Sequence, residues 1–409
     1  MEDKINKTEK LVFFYPSYLV GGAQYLIIRL TEYFLEHSID CYIIDFKDGI
    51  YRQLTKKVPE NRFIEFKENL ITPEDAVIIT YPCEIKKLSE YLDKNNKNRV
   101  LVWLVGPDNF EALIPLRSYL PFSLLKFYFY PLIEKSIKIL SETKSLIAMD
   151  DGVLERCKSL YGVNYNIPYC PIPIKPEDRF NINNMINNFI FEDRNEFKCV
   201  WLGRISTEKV YSLKKVIKDI ASLSNIKVEF DIIGNGECEH IIKEFKTEVP
   251  FKINFLNTVT ENLDSILRNY DVCFAMGTSA LESAKLGVPS VLVDASYTEL
   301  PDGYRYRWLY ETEDFTLGYM LPTEKVKKNK LNMNDIFDIL RDQEKKIAVG
   351  KRCYEYTINN HLIDTVAQKL LEFANSSILT MEDVRKLPAN GSLLNRIQRI
   401  GRKIKSILK

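Results

Sequence analysis

The segment from Asp271 to Asp294, DVCFAMGTSALESAKLGVPSVLVD, contains the pattern that decides the fold. An apolar strand pattern (Asp271 to Met276) is followed by Gly277, a helical pattern (Ala280 to Leu286) and a second apolar strand pattern (Ser290 to Asp294). Nearly all-apolar strands joined by a helix are typical of a parallel sheet that helices cover on both faces. The segment therefore predicts an α/β fold.

The same alternation of strands and helices extends along most of the chain. In the C-terminal half, further strands are expected at residues 198–202, 227–233 and 252–255, with helices at 213–223, 237–247 and 262–269. In the N-terminal half, strands are expected at 10–15, 40–46, 76–80, 100–105 and 145–148, with helices that include 23–37 and 83–95. We therefore predict two Rossmann-like, doubly wound parallel-sheet domains that face a cleft, with ligands bound at the carboxyl ends of the strands.

A chain of 409 residues is longer than one hydrophobic core ordinarily holds, so two domains are expected. The stretch 176–196 is rich in Asn, Asp and Glu and has weak periodicity, which is typical of a linker. We assign residues 1–175 to the N-terminal domain, 197–375 to the C-terminal domain and 376–409 to a basic amphipathic tail.

Composition narrows the possible functions. The net charge of +1 gives no indication of a nucleic-acid partner. The eight cysteines form no C-x-x-C pair and the three histidines lack metal-ligand spacing, so we expect reduced core cysteines and no metal site. The scattered cysteines are typical of a cytosolic protein. Because there is no apolar signal-peptide core and no run of about 18 apolar residues, we expect neither a signal peptide nor a transmembrane helix.

The turn after the strand at 271–276 has the residues of an anion-binding site. Gly277, Thr278 and Ser279 at a helix start offer free backbone N–H groups and two hydroxyls to phosphate oxygens. Glu282, one turn into the helix, could accept hydrogen bonds from a sugar diol. The alternative is an ordinary helix start capped by Ser or Thr, which would explain the hydroxyls but not Glu282.

Two cations follow the strand that opens the C-terminal domain. In Gly203-Arg204-Ile205-Ser206-Thr207-Glu208-Lys209, the fork of Arg204 and the mobile point charge of Lys209 suit a diphosphate. A solvated loop with ordinary surface charges is the alternative interpretation.

Two further glycine turns are candidates for close approach to a ligand. Gly234, in the run Ile233-Gly234-Asn235-Gly236-Glu237, follows a strand, although a tight turn explains it as well. Gly22, in the pair Gly21-Gly22, follows the first strand, where a loop that needs positive φ is the alternative.

Taken in order, these segments resemble the GT-B retaining glycosyltransferases of family 4 over most of residues 10 to 375. The resemblance lies in Gly-Gly-Ala after strand one, Gly-Arg-x-x-x-x-Lys, Gly-x-Gly-Glu and Ala-Leu-Glu-x-Ala-x-x-Gly-x-Pro. It implies that Arg204 and Lys209 hold the donor diphosphate and that Glu282 binds the nucleotide ribose. The remaining donor contacts would come from the glycines and hydroxyls of these turns: Gly22, Gly203, Gly234, Gly277, Thr278 and Ser279.

The chain departs from that family pattern at two positions. Many members carry a second glutamate eight positions before the first, where this chain has Phe274, so Thr278 or Ser279 would supply the missing contact. Many members also have a histidine near the strand that here ends at Trp103-Leu104-Val105. No histidine is present there, and Asp108 is the nearest polar group, so we name it as a candidate catalytic residue.

The resemblance implies front-side attack by an acceptor hydroxyl while the diphosphate leaves, with retention of configuration. Arg204, Lys209 and the amides near Gly277 would stabilise the leaving phosphate without a metal or a tightly bound cofactor. The donor would be a nucleotide-diphosphate sugar and the acceptor a saccharide, in bacterial surface-polysaccharide assembly.

The C-terminal tail has the pattern of a membrane-surface helix. Apolar residues at helical spacing alternate with basic ones and no acid: Leu393, Leu394, Arg396, Ile397, Arg399, Ile400, Arg402, Lys403, Ile404, Lys405, Ile407, Leu408 and Lys409. Residues 113–133, with aromatics around Arg117 and Lys126, are a second candidate patch. The alternative for both is a helix packed on the first domain. If both contact lipid, the acceptor is lipid-linked and the protein is peripheral at the inner face of the plasma membrane.

Two other classes of function remain open. A nucleotide-dependent oxidoreductase would need G-x-G-x-x-G after strand one and an acidic residue about 20 positions further on. The chain has only Gly21-Gly22 there, and Asp45 at the end of the next strand matches the acidic position weakly. A non-catalytic nucleotide-sugar or saccharide-binding protein on the same fold is the main alternative.

Overall fold

The computed structural model describes residues 10–106, 109–114, 122–176, 196–224, 226–247, 251–257 and 262–391, with the backbone alone for 122–125. The chain divides into two compact units. The first unit contains the residues up to Pro173 together with those from Ile363 onward, and the second runs from Ile174 to Leu362.

The strands, in chain order, are β1 Lys10–Phe14, β2 Asp40–Asp45, β3 Phe63–Glu65, β4 Val77–Thr80, β5 Arg99–Leu104, β6 Leu146–Ala148, β7 Glu196–Leu202, β8 Lys227–Ile233, β9 Lys252–Phe255, β10 Val272–Ala275, β11 Ser290–Leu292 and β12 Arg307–Trp308. The helices are α1 Gly22–Glu36, α2 Tyr51–Leu54, α3 Ile85–Tyr91, α4 Phe122–Glu142, α5 Asp151–Tyr161, α6 Val210–Ala221, α7 Glu239–Glu244, α8 Leu263–Leu267, α9 Thr278–Ala284, α10 Met333–Arg341, α11 Gln343–His361, α12 Ile363–Ser376 and α13 Met381–Lys386.

Each unit is built on a six-stranded sheet. The first has the order β3-β2-β1-β4-β5-β6 and is parallel throughout. The second has the order β12-β11-β10-β7-β8-β9, in which only β12 is antiparallel to its neighbour. Both sheets have the strand order of the doubly wound fold. In this order the first three strands are added toward one edge of the sheet and the next three toward the other edge. The predicted pair of parallel-sheet α/β domains is confirmed.

The strands in the middle of each sheet are buried because they are almost entirely apolar. In β4, Val77, Ile78 and Ile79 are at most 1% exposed, and β10 is buried along its whole length. Strands without alternating polar residues can be stable only with helices on both faces. The composition of the strands thus explains the layered architecture.

The C-terminal boundary differs from the predicted one. Residues 363–375 were expected in the second domain, but α12 packs against α1, β4 and β5 of the first unit. Tyr33 on α1 donates a hydrogen bond to Asp364 at 3.0 Å. The reason is that Val366, Ala367 and Leu370 form one buried stripe, and periodicity reveals such a stripe without revealing which sheet covers it.

The first part of the predicted tail also belongs to the first unit. The Val100 amide donates to the Leu379 carbonyl at 2.8 Å, and Met381 and Val384 on α13 are fully buried. Residues 392–409, which carry the basic amphipathic pattern, lie outside the described residues. The predicted linker residues 177–195 lie outside them as well.

Helix α4 covers much of residues 113–133, which were predicted to be either a membrane-interface patch or a buried helix, and it has both a buried and an exposed face. Phe129 and Ile133 are fully buried, whereas Phe127 is 86% and Tyr128 is 44% exposed. Residues 115–121, including Arg117, are outside the described part of the chain. Among the described helices, none combines the length and the hydropathy that a bilayer span requires.

Candidate functional site

Three of the predicted site segments meet at one edge of the second sheet. Gly203 follows β7, Gly234 follows β8 and Gly277 lies between β10 and α9. Because β10, β7 and β8 are adjacent and parallel, their carboxyl ends lie side by side. This is the edge at which doubly wound sheets bind ligands.

The turn at Gly277 leaves its helix start uncapped. Gly277 has φ 61° and ψ −140°, a conformation that favours glycine, and its amide donates to the Leu317 carbonyl at 2.8 Å. No side chain caps α9, so the predicted alternative of a Ser or Thr cap is wrong. Within the described part of the chain, the amides of Thr278 and Ser279 have no hydrogen-bond partner, and a Cβ atom added at Gly277 would meet nothing within 4 Å. The turn therefore combines two N–H groups that lack a partner among the described residues with open space beside Gly277.

The Arg204–Lys209 loop lies against this turn. A Cβ atom added at Gly203, whose φ is 149°, would lie 3.7 Å from Ser279 Oγ and 4.0 Å from Lys209 Nζ. Gly203, Lys209 and Ser279 are thus brought together from two loops. The absence of a side chain at Gly203 keeps the space between the ammonium and the hydroxyl open.

Lys209 is a half-buried cation without a counter-ion in the described structure. Neither a hydrogen bond nor an ion pair of its ammonium is found among the described residues. Burial lowers the pKa of Lys209 and the neighbouring Arg204 lowers it further, while Glu208 acts in the opposite direction. A buried charge is costly unless it is paired, so this position favours an anionic ligand.

Arg204 is more exposed and loosely held. Its side chain is 54% exposed, and its Nη2 lies 3.8 Å from Glu208 Oε1, which also accepts a hydrogen bond from Ser206 Oγ. An exposed ion pair of this length contributes little to stability, so Arg204 can turn toward a ligand at little expense.

Gly234 allows two loops to pack closely against each other. A Cβ atom added at Gly234 would lie 2.2 Å from the Gly203 carbonyl oxygen, and one added at Gly236 would lie 2.3 Å from the Ile205 carbonyl oxygen. The Ile205 amide donates to the Asn235 carbonyl at 2.9 Å. The Gly-x-Gly pattern is therefore explained by close packing of two loops, which fixes the path of the loop that carries Arg204.

Glu282 is held in an ion-pair chain that the sequence analysis missed. Its side chain is 16% exposed and lies 2.8 Å from Lys285, which in turn lies 3.1 Å from Asp264 on α8. The i,i+3 spacing of Glu282 and Lys285 could have revealed the first pair, but nothing in the sequence places Asp264 beside them. The two ion pairs tie α9 to α8 and restrict the Glu282 carboxylate, which lies one turn into α9.

Phe274 does not take part in the site. It is fully buried in β10, where its ring packs near those of Phe230 and Tyr306. Only Met276 and Gly277 separate β10 from α9, so the position eight residues before Glu282 falls inside the strand. The short connection is the physical reason why no second carboxylate can approach from there.

Of the two site residues predicted in the first unit, Gly22 lies within the described residues. Gly22 begins α1, and Gly21 before it is extended at φ −168°, so the alternative of a loop that needs positive φ is wrong for both glycines. Asp108 lies outside the described residues. Within the described residues, no group of three or more His, Cys, Asp or Glu side chains could hold a metal ion.

The fold is similar to those of several glycosyltransferases of known structure. A glycosyltransferase from Rickettsia africae ESF-5 aligns with a TM-score of 0.55 and 12% sequence identity, over 91% of this chain and 99% of that one. Sucrose-phosphate synthase from Thermosynechococcus elongatus aligns with a TM-score of 0.54 and 12% identity, over 88% and 97%. WaaG, a glycosyltransferase involved in lipopolysaccharide biosynthesis, aligns with a TM-score of 0.50 and 12% identity, over 89% and 98%.

No protein-family model and no curated protein sequence matches the chain. At 12% identity the structural likeness concerns the fold, and residue roles have to be argued from the site itself. The topology of both sheets and the likeness over about nine-tenths of the chain agree. This chain has the GT-B fold.

Proposed function

We propose that the protein is a glycosyltransferase that moves a sugar from a nucleotide-diphosphate donor to a saccharide acceptor. The observation that carries the proposal is a cluster of groups around Gly203 and Gly277 that lack partners among the described residues. It consists of the Lys209 ammonium, near Ser279 Oγ, and the amides of Thr278 and Ser279. A diphosphate would satisfy all of these groups at once, since its oxygens accept hydrogen bonds and its charge complements the cation. Glu282, one turn along α9, would receive the ribose hydroxyls.

In this mechanism the chain's own groups stabilise the leaving group. When the bond from the sugar to the diphosphate breaks, negative charge grows on the diphosphate oxygens. Lys209, Arg204 and the amides of Thr278 and Ser279 would face that charge in fixed positions, which is electrostatic catalysis without a protein nucleophile. The acceptor hydroxyl attacks from the same side, so configuration is retained.

We assign the acceptor to the first unit, while Gly22 remains a predicted donor contact and Asp108 a predicted catalytic residue. The acceptor is a lipid-linked saccharide, and the role is bacterial surface-polysaccharide assembly at the cytoplasmic face of the membrane. Exposed Phe127 and Tyr128 on α4 support a lipid-facing surface on this unit, since aromatic side chains are enriched at membrane interfaces. The basic pattern of residues 392–409 supports the same placement.

Binding of UDP, GDP, dTDP, CMP and NAD, measured by calorimetry, tests the donor site. We expect one nucleoside diphosphate to bind, and Lys209→Met to weaken it by about 10- to 100-fold, because a hydrogen bond to a charged group is worth about 1.5–3 kcal/mol. The matched control is Lys227→Met, which removes an exposed lysine at the amino end of β8 that pairs with Glu196. Equal binding by wild type and Lys209→Met, or binding of NAD alone, would refute the assignment.

Turnover separates the enzyme from a binding protein on the same fold. Nucleoside diphosphate released from the matching nucleotide sugar should be detectable with wild type and fall by about 10²- to 10³-fold in Lys209→Met, as for loss of an oxyanion-hole donor. Tight binding without any release, with a membrane extract as acceptor source, would instead support a non-catalytic binding protein.

A further inference from the structure

Asp294 is a fully buried carboxylate directly after β11. Its Oδ1 accepts hydrogen bonds from Arg307 Nη1 at 3.0 Å and from the Tyr319 amide at 2.8 Å. Its Oδ2 accepts from the Tyr304 hydroxyl at 2.8 Å and from Asn329 Nδ2 at 3.2 Å. A carboxylate with this many donors is fixed in position, and it fixes the donors in turn.

One path leads from Asp294 to the Gly277 turn. The Tyr319 amide that donates to Asp294 lies two residues from Leu317, whose carbonyl accepts the Gly277 amide at 2.8 Å. Gly318 between them has φ 129°, and a Cβ atom added there would lie 2.9 Å from the Val293 carbonyl oxygen and 3.1 Å from Met276 Cβ. The segment 317–319 is therefore tightly enclosed, and its position determines where the turn lies.

A second path leads from Asp294 to the Arg204–Lys209 loop. The Asp294 carbonyl accepts a hydrogen bond from Ser212 Oγ on α6 at 2.6 Å. Two residues along the chain, the Ser296 amide donates to the Glu208 carbonyl at 2.8 Å, next to Lys209. The same short segment thus holds both of the loops that supply the proposed anion site.

The ion pair between Asp294 and Arg307 is buried, but the hydrogen-bonding capacity of Arg307 is only partly used. Arg307 is 5% exposed and lies 5.1 Å over the Tyr319 ring, and its Nε and Nη2 are buried without a hydrogen-bond partner in the described structure. Incompletely satisfied buried ion pairs are weak contributors to stability. Arg307 nevertheless donates to both carboxylate oxygens, which helps to hold the carboxylate where it accepts the Tyr319 amide.

We propose that Asp294 is a positioning residue of the donor site. Through Tyr319 and Leu317 it sets the Gly277 turn, and through Ser296 it sets the loop that carries Lys209. It contacts no ligand itself. The proposal rests on the proposed function for the identity of the ligand, but the positioning of the two loops can be measured without one.

The test compares two buried tyrosines. Tyr304→Phe removes a hydroxyl that donates to the Asp294 carboxylate and accepts from the Asp294 amide. Tyr306→Phe removes the hydroxyl of another buried tyrosine, which donates to Asp219 on α6 at 2.7 Å. The two rings lie 5.0 Å apart and both side chains are at most 6% exposed, so the two variants change the same part of the core. Asp294→Asn is the stronger variant, provided that circular dichroism shows it to be folded.

The first measurement is hydrogen–deuterium exchange of the unliganded full chain in peptides covering 272–284 and 203–213. We expect Tyr304→Phe to accelerate exchange there by about 10- to 100-fold, the effect of losing one hydrogen bond to a charged group, and Tyr306→Phe to leave it within about twofold of wild type. The second measurement is the Kd for UDP, GDP and dTDP, which should rise by the same factor in Tyr304→Phe alone at similar thermal stability.

The outcomes separate the two proposals. Exchange and affinity that change equally in Tyr304→Phe and Tyr306→Phe would overturn the positioning role, since a purely structural effect would not distinguish them. If wild type binds no nucleoside diphosphate, the proposed function fails. The positioning role then stands or falls on the exchange difference alone.

Discussion

At the scale of single residues, Lys209 links the electrostatics of the site to a measurable pH dependence. Burial and then Arg204 lower its pKa in the free protein, whereas a bound diphosphate would raise it. The charged form binds the anion, so affinity should fall as the pH rises through the lowered pKa, at a lower pH than for an ordinary lysine. Calorimetric Kd values between about pH 7 and 10 should show this fall, because a model lysine titrates near 10.4.

Lys209→Arg is the control for that titration. A guanidinium stays charged throughout this range, so the variant should bind with little dependence on pH. The same shift has a consequence for folding. Since the folded state binds fewer protons than the unfolded state in this window, the lowered pKa of Lys209 makes the free energy of unfolding rise with pH there. Equal pH profiles for wild type and Lys209→Arg would contradict the role of Lys209.

At the scale of elements, the sequence predicts a strand and its turn where the apolar run is long enough to show a periodicity. The run Lys10 to Tyr15 predicts β1 to within one residue, whereas β3 and β12, with three and two residues, are too short to have a periodicity. The turn glycines were located, but the role of Gly234 depends on the approach of Gly203 from another strand. Such contacts between distant segments are fixed by packing, which no local pattern contains.

The start of α5 carries a prediction that belongs to this scale. Asp150 caps the helix by accepting the Val153 amide at 2.8 Å, and burial raises the pKa of its carboxyl to about 7, with the adjacent Asp151 adding to the rise. A buried carboxyl with a raised pKa is neutral at low pH, where its burial costs little stability. At high pH it has to ionise inside the protein, which lowers the free energy of unfolding. Stability should therefore fall between about pH 4 and pH 7, by up to about 4 kcal/mol at about 1.4 kcal/mol per pKa unit.

Asp150→Asn tests this without removing the cap, since Asn caps helices as well as Asp does. Relative to wild type, the variant should gain stability on going from pH 5 to pH 8, measured by urea unfolding monitored through the first unit. A difference between the two proteins that is the same at both pH values would show that Asp150 does not titrate in this range.

At the scale of the whole molecule, the chain leaves the first unit at Pro173 and returns to it at Ile363. This return explains why the domain boundary could not be read from the sequence: α12 and α13 complete a core formed more than 200 residues earlier. Leu379, Met381, Val384 and Leu387 are at most 1% exposed, and Arg385 donates to the Leu92 and Asp93 carbonyls. Residues 376–391 are therefore a structural part of the first unit.

The basic segment 392–409 is expected to have a separate role, and two truncations distinguish the two parts. A chain ending at Gly391 keeps every contact named above, so it should unfold like the full chain but lose flotation with anionic vesicles. A chain ending at Ser376 loses Ala389 and four larger buried apolar side chains, each of the four worth about 1.5–3 kcal/mol, and should lose several kcal/mol of stability. Raising the salt concentration should release the full chain from anionic vesicles, because the attraction of basic residues to the surface is screened. Undiminished flotation of the chain ending at Gly391 would remove residues 392–409 from the membrane proposal and leave Phe127 and Tyr128 on α4 to account for it.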